Sequence, residues 1–253
     1  MTSEQDTEAE DEGWGGPSAI VAGVLLATIA LIAVWVVWPG GDGDGDGGQA
    51  GTTTTSTSEP ASRASEGGSD GVDEHGCPDD LPTGERVPPA GPRVEWTLFR
   101  GLAVPGSEEH GPAVIEGDVA RCYSHTPTGA LIAAVQIGSR YVVATDGVDV
   151  ARRQTVPGKG QDALVAALQE RGPVQVQSGD VCQMAGFRFV DFTPEEAVIA
   201  RASRCPDGVL QLTEVKVRWS DGDWKLVLLD DGSESATAST LNDLSGMTAW
   251  SGV

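Results

Sequence analysis

The chain has 253 residues, with 38 Asp and Glu against 16 Lys and Arg, a formal net charge of −22 at pH 7. So acidic a surface gains nothing from a polyanion, which argues against nucleic acid as a partner, and the one basic cluster, Arg152-Arg153 with Lys159, reads as a solvated loop. Four cysteines without a C-x-x-C pair and three histidines argue against a zinc site, and no motif calls for a cofactor.

Residues 1–17 form an acidic tail with six acids and neither Lys nor Arg. Ala19 to Trp38 then run for twenty residues without a charge, the length a helix needs to cross a hydrocarbon core about 30 Å thick. The sequence predicts one uncleaved transmembrane helix over 18–38, tying the chain to a lipid bilayer. A signal peptide would have a basic start, a shorter apolar core and a small-x-small cleavage site. Trp14 before the run, and Trp35 and Trp38 at its end, match the aromatic enrichment of membrane interfaces. With no Lys or Arg within about 20 residues of the run, the positive-inside rule is silent. Size and cysteine placement therefore orient the chain, tail in the cytoplasm and the large C-terminal portion outside the cell membrane. A lipoprotein would need a cysteine directly after the apolar run, and the first is Cys77.

Residues 39–76 are rich in Gly, Asp, Thr and Ser and almost free of apolar side chains. Such a segment cannot bury enough surface to offset its ordering entropy and is expected to be a disordered linker with a root-mean-square reach of roughly 35 Å. Asp42, Asp44, Asp46 and Gly47 match the start of an EF-hand loop. Thr53 stands where the bidentate Glu belongs and no helices flank it, so the segment reads as a repulsive spacer. The Thr52 to Ser58 run could take O-linked sugar outside a cell.

Residues 77–253 are enough for one domain with a single core. All four cysteines, Cys77, Cys122, Cys182 and Cys205, fall here, and an even count beyond a membrane suggests two disulfides in an oxidising compartment. Thr126-Pro127 reads as an N-cap followed by proline at the first helical position. The residues after it are apolar nearly all round, predicting a buried helix. Gly129, Ala130, Ala133 and Ala134 are expected to be small so that this helix packs closely on a sheet. A second helix is predicted over Gln161 to Glu170, closed by Gly172 and Pro173. Beyond it the period alternates, and turn signals at Asp191 to Pro194, Cys205 to Gly208 and Asp221-Gly222 mark off four strands. Helices followed by an antiparallel meander make an α+β fold, with helices on a curved four-stranded antiparallel sheet.

Two hairpins can be registered. A type I′ turn at Asp221-Gly222 pairs Trp219 with Trp224, Val217 with Leu226, Val215 with Leu228, and Arg218 with Lys225. Pairing Cys182 to Val190 with Glu196 to Cys205 sets Phe189 against Val198, Phe187 against Ala200 and Cys182 against Cys205. That register selects a Cys182–Cys205 bridge and leaves Cys77 with Cys122. Leu210 and Leu212 lie in opposite phase to Val215, Val217 and Trp219, and a bulge near Thr213 to Glu214 would reconcile them.

A single N-terminal span, a flexible stretch, helices and then a four-stranded sheet resemble, over roughly His125 to Asp231, the cystatin-like or NTF2-like domain of scaffold subunits in type IV secretion and conjugation. Trp96 with Pro105, Gly111-Pro112, the run HTPTGALIAA at 125–134, and Leu244-Ser245-Gly246 with Trp250 resemble a poorly characterised actinobacterial membrane-anchored family. Neither resemblance brings catalytic residues with it.

The expected function is therefore that of a membrane-anchored extracytoplasmic interaction or scaffold protein without chemistry of its own, meeting other membrane or secretion-apparatus proteins. The rivals are an extracytoplasmic ligand-binding sensor or regulator, and an NTF2-like enzyme drawing on His125, Asp180, Asp191 and Arg121. His125 beside a helix start reads as a hydrogen-bonding residue rather than a general base, and both aspartates read as turn residues. Ala19, Gly23 and Ala27 recur every fourth residue and would let a second copy of the span approach closely, giving a homo-oligomer. A reporter of transmembrane association should lose its signal on Gly23→Ile and keep it on Leu26→Ile; equal signals would leave the span a passive tether.

Overall fold

The computed structural model describes residues 71–177 and 179–252. Ten strands and three helices follow in the order β1 (Glu95–Phe99), β2 (Leu102–Gly106), β3 (Val114–Glu116), β4 (Val119–Arg121), α1 (Pro127–Val143), α2 (Gly147–Gln154), α3 (Lys159–Arg171), β5 (Gln183–Phe192), β6 (Glu196–Arg204), β7 (Leu210–Ser220), β8 (Asp223–Val227), β9 (Ala238–Leu241) and β10 (Thr248–Ala249). The main sheet is antiparallel and has six strands, not four, in the order β10-β5-β6-β7-β8, with β9 sharing the β7 edge beside β8. Hairpins β1-β2 and β3-β4 form two further small sheets. The NTF2-like expectation of a four-stranded sheet is thus overturned. The strands it missed are two to five residues long and hold together only through partners distant in sequence or through Gly turns, leaving no alternating period to read.

The predicted span, with Ala19, Gly23 and Ala27, and most of the linker lie outside the described residues, among which no helix is long and apolar enough to cross a membrane. The linker's predicted end at 76 moves back, because residues 71–76 already belong to the fold. Asp79 N–H donates to Gly71 O, and the Asp73 carboxylate accepts from His75 and Cys77 N–H, both at 2.8 Å.

The helix α1 is the central column. The Thr126 hydroxyl accepts from Gly129 N–H at 3.0 Å as the N-cap. Ala130 through Ile137 are nearly all fully buried, so the helix has packing partners on every side. One face meets Phe187, Ile199, Val215, Val217, Trp224 and Leu226 of the sheet. The other lies under the hairpins through polar clamps: Gln136 Nε2 donates to Pro105 O at 2.7 Å, Arg140 Nε to Gln136 Oε1 at 2.7 Å and Arg140 Nη1 to Asp118 O at 2.9 Å. Gly129 is small for a different reason than sheet packing: a Cβ there would collide with the Ser124 carbonyl in the turn that leads into the helix.

The expectation of a solvated loop at Arg152-Arg153 is corrected by α2. They sit in its last turn, and Arg153 pairs with Glu116 of β3 and with Asp149 at 3.5 Å. An eight-residue helix carries too few apolar positions for a period to show, and its formation rests on packing and the Asp146 cap.

The β7-β8 hairpin turns through Asp221 and Gly222, both at positive φ (53° and 74°), and pairs Trp219 with Trp224, Arg218 with Lys225 and Val217 with Leu226. Strand β8 ends at Val227, so Val215 has no strand partner in Leu228. The β5-β6 register differs inside the hairpin: Phe189 faces Ile199 and Phe187 faces Arg201, because β5 carries irregularities between Met184 and Gly186 and between Phe189 and Asp191. The turn also sits one residue later, with Thr193 and Glu196 exchanging backbone hydrogen bonds around Pro194-Glu195. The late turn shifts every pair by two and each bulge takes one back. At the open end the shifts cancel, Gln183 faces Arg204, and a disulfide joins Cys182 to Cys205 while a second joins Cys77 to Cys122. The bulge expected near Thr213 is absent, since β7 pairs with β6 residue for residue from Leu210 to Arg218.

Asp223 ties this sheet to the α1 entrance. Its carboxylate accepts from Cys122 N–H at 2.8 Å, Tyr123 N–H at 3.0 Å and Trp224 N–H at 2.9 Å. Burial outweighs these donors and pushes its pKa up to about 6. A carboxyl raised in the folded state stabilises the fold fully below the unfolded value near 3.8 and loses that contribution as pH rises through about 6, a change on the order of 3 kcal/mol. Asp223→Asn should flatten the pH dependence of Tm between pH 4 and 7, measured by thermal unfolding. A wild-type slope surviving in the variant would assign the titration elsewhere.

Candidate functional site

The alternation of a strand sends every second side chain to the same face. Along β6, Ala197, Ile199, Arg201 and Ser203 share the face toward α1, and along β7 Val217, Val215, Thr213 and Gln211 share it. The first two residues of each set are core; the last two are polar. Cross-strand pairing puts Ser203 opposite Gln211 and Arg201 opposite Thr213, so the inner face changes from apolar to polar within one residue pair. This change is the phase conflict seen in the sequence. Leu210 and Leu212 alternate onto the outer face, and Leu210 is buried, paired with Leu241 of β9.

The polar half of that face floors a cleft of about 260 Å³. Leu102 and Ala103 of β2, Val135, Gly138, Ser139 and Val142 of α1, and Val181 to Met184 form its walls. Gln183 holds the hairpin wall in place, accepting from Ala103 N–H at 2.9 Å and donating to Gly101 O at 2.8 Å. The Cys182–Cys205 bridge fixes the open end of two strands that contribute to the lining.

Arg201 is the one charged side chain of the lining, and it is neutralised. Its Nη2 donates to Glu234 Oε2 at 2.6 Å, its Nη1 to Ala134 O at 3.3 Å, and Tyr141 donates its hydroxyl to Glu234 Oε1 at 2.7 Å. Burial, with Glu234 beside it, raises the Tyr141 pKa well above the ordinary phenol value, so it stays a donor. Gly138 makes room for this pair.

The enzyme candidates are not brought together. His125 stacks on Trp219 with ring centroids 3.9 Å apart and bonds Pro194 O through Nε2 at 2.6 Å. Asp180 accepts from Gln177 N–H in a turn, Asp191 from Phe192 N–H, and Arg121 pairs with Glu116 at 2.6 Å. A polar chain missed in the sequence, His110 Nδ1 to Ser124 Oγ at 2.9 Å and Ser124 Oγ to Thr126 Oγ1 at 2.7 Å, leads into the α1 cap. Its serine is fully buried, which makes it a structural anchor. Among the described residues no cluster of His, Cys, Asp and Glu could hold a metal ion.

A second cleft, about 320 Å³, lies beside the Cys77–Cys122 bridge. Its charges are committed: Arg121 and Arg153 share Glu116, whose pKa they hold down at about 2, and Lys225 pairs with Asp221.

A family model described as a domain of unknown function, DUF8175, matches residues 53–249. The chain belongs to the DUF8175 family. The match takes in both disulfides and every lining residue of the cleft, and begins after the apolar run of residues 19–38. No curated protein and no solved structure matches the chain.

Gly138 gives the DUF8175 cleft a direct test. An alanine inside a helix is favoured over glycine by about 0.8–1 kcal/mol, but a Cβ at 138 would stand 2.8 Å from Glu234 Oε1 and 2.9 Å from Arg201 Nη1. Forcing that half-buried pair apart should outweigh the propensity gain, and Gly138→Ala should destabilise the domain by about 1–3 kcal/mol in thermal or denaturant unfolding. A raised Tm would mean that the pair yields freely.

Proposed function

We propose that this chain is an extracytoplasmic interaction module, held at a membrane by the 19–38 run and serving as a scaffold for other membrane proteins. The observation that carries the reading is the cleft lining, where hydroxyls, two carboxamides and aliphatic side chains surround an arginine already neutralised by Glu234. That chemistry recognises a partner; it offers no nucleophile with a base beside it. Two disulfides within the described residues support a location in an oxidising compartment, which is where a domain beyond the cytoplasmic membrane face would fold.

The test has two arms. In intact cells a membrane-impermeant amine reagent should label Lys159, whose side chain is 82% exposed; labelling that appears only after lysis would overturn the location. Cross-linking of the full chain in its native membrane should then recover a stoichiometric protein partner, and recovery of the chain alone would overturn the scaffold reading.

A further inference from the structure

Four polar side chains of the cleft, Ser139, Ser203, Gln211 and Thr213, make no side-chain hydrogen bond to any described residue. Most buried polar side chains elsewhere in the described fold are committed: Gln136, Arg140, Gln154, Ser124 and Thr155 all bond within the protein, while the buried atoms left unpaired are Arg121 Nε and Arg201 Nε. The four cleft side chains are half-buried and open to solvent, so water satisfies them in the free protein and a ligand that displaces it meets uncommitted donors and acceptors. Here four such groups converge on one cleft. Ser203 and Gln211 are direct cross-strand partners, Thr213 is the next inner-face position on β7, and Ser139 faces them from α1.

The opposite walls are aliphatic, with Leu102, Val135, Val142, Val181 and Met184 among the lining residues. The lining has no aromatic side chain, the feature that would stack on a sugar ring, and no uncommitted charge, although the chain as a whole is strongly acidic. A volume near 260 Å³ lies just under the range of about 300–1,000 Å³ typical of small-molecule sites and suits one large side chain with its flanking peptide units. Hydroxyls and a carboxamide supply both donors and acceptors, the complement of a peptide group.

Resting on the interaction reading above, we propose that this cleft is a peptide-recognition site that takes an uncharged segment of a partner protein. An aliphatic side chain of the segment enters between β2 and α1, and its peptide groups bond Ser203, Gln211, Thr213 and Ser139. The glycine at 138 and the Arg201–Glu234 pair close one wall, and the Cys182–Cys205 bridge holds the strand ends that frame the mouth.

The experiment is a selection of random heptapeptides displayed on phage against the full chain in detergent micelles, with Thr213→Arg as counter-target and Asp207→Arg, in the exposed β6-β7 turn, as a surface control. Selected peptides should be uncharged with an aliphatic residue at a constant position. They should bind the wild type and Asp207→Arg alike, and lose ten-fold or more in affinity on Thr213→Arg and on Ser203→Arg, each shown by thermal unfolding to be folded. Peptides that bind Thr213→Arg as well as wild type, charged consensus sequences, or no enrichment would each overturn the proposal, as would glycan-array binding abolished by Thr213→Arg. A membrane partner recovered equally with wild type and Thr213→Arg would overturn the cleft proposal while leaving the scaffold reading standing.

Discussion

The burial of α1 on every side is the constraint from which the rest of this fold follows. A helix that is apolar nearly all round cannot lie on a sheet with its back to water, so a second layer must cover it. The β1-β2 and β3-β4 hairpins are that layer. They are too short to bury much themselves, and polar clamps from Gln136 and Arg140 fix them to the helix. The Arg140 guanidinium lies 4.2 Å from the Phe99 ring centroid, so the same side chain that bonds Asp118 O also covers Phe99 of the first hairpin.

Asp118 and Asp223 do for the backbone what the apolar contacts do for the side chains. Asp118 accepts from Thr145 and Asp146 N–H at the end of α1 and from Arg100 of the neighbouring hairpin. Asp223 holds the chain entering α1 against the β7-β8 turn. Each is an acid used as a multiple acceptor: Asp223 satisfies N–H groups that its buried site would otherwise leave unpaired, and Asp118 takes two exposed N–H groups just past α1. In a chain of net charge −22, some of the acidity is therefore architectural.

The sheet serves two ends at once because its inner face is divided. Where α1 lies flat on it, the face is Ile199, Val215 and Val217; past the point where Gly138 admits Arg201 and Glu234, it is Ser203, Gln211 and Thr213. A stabilising core and the polar floor of the cleft share two strands without a bulge between them.

The helix over 127–143 and the Asp221-Gly222 hairpin were legible in the sequence, because each rests on local chemistry: an N-cap with proline, and two adjacent residues suited to positive φ. The cysteine pairing followed from a hairpin register that holds only at its open end, where the late turn and two bulges cancel. The length and charge of the run from Ala19 to Trp38 are equally local facts. The cleft was legible only as an anomaly, the inverted phase of Leu210 and Leu212, which a bulge could explain as well as a polar patch. Choosing between them required knowing what lies on each face of β7. Tertiary structure alone decided that, along with the short strands β1–β4, β9 and β10, the helix α2 and the true β5-β6 register. Segments of two to eight residues gain too little from their own hydrogen bonds to form without a surface to bind, and that surface is built by residues far away in the chain.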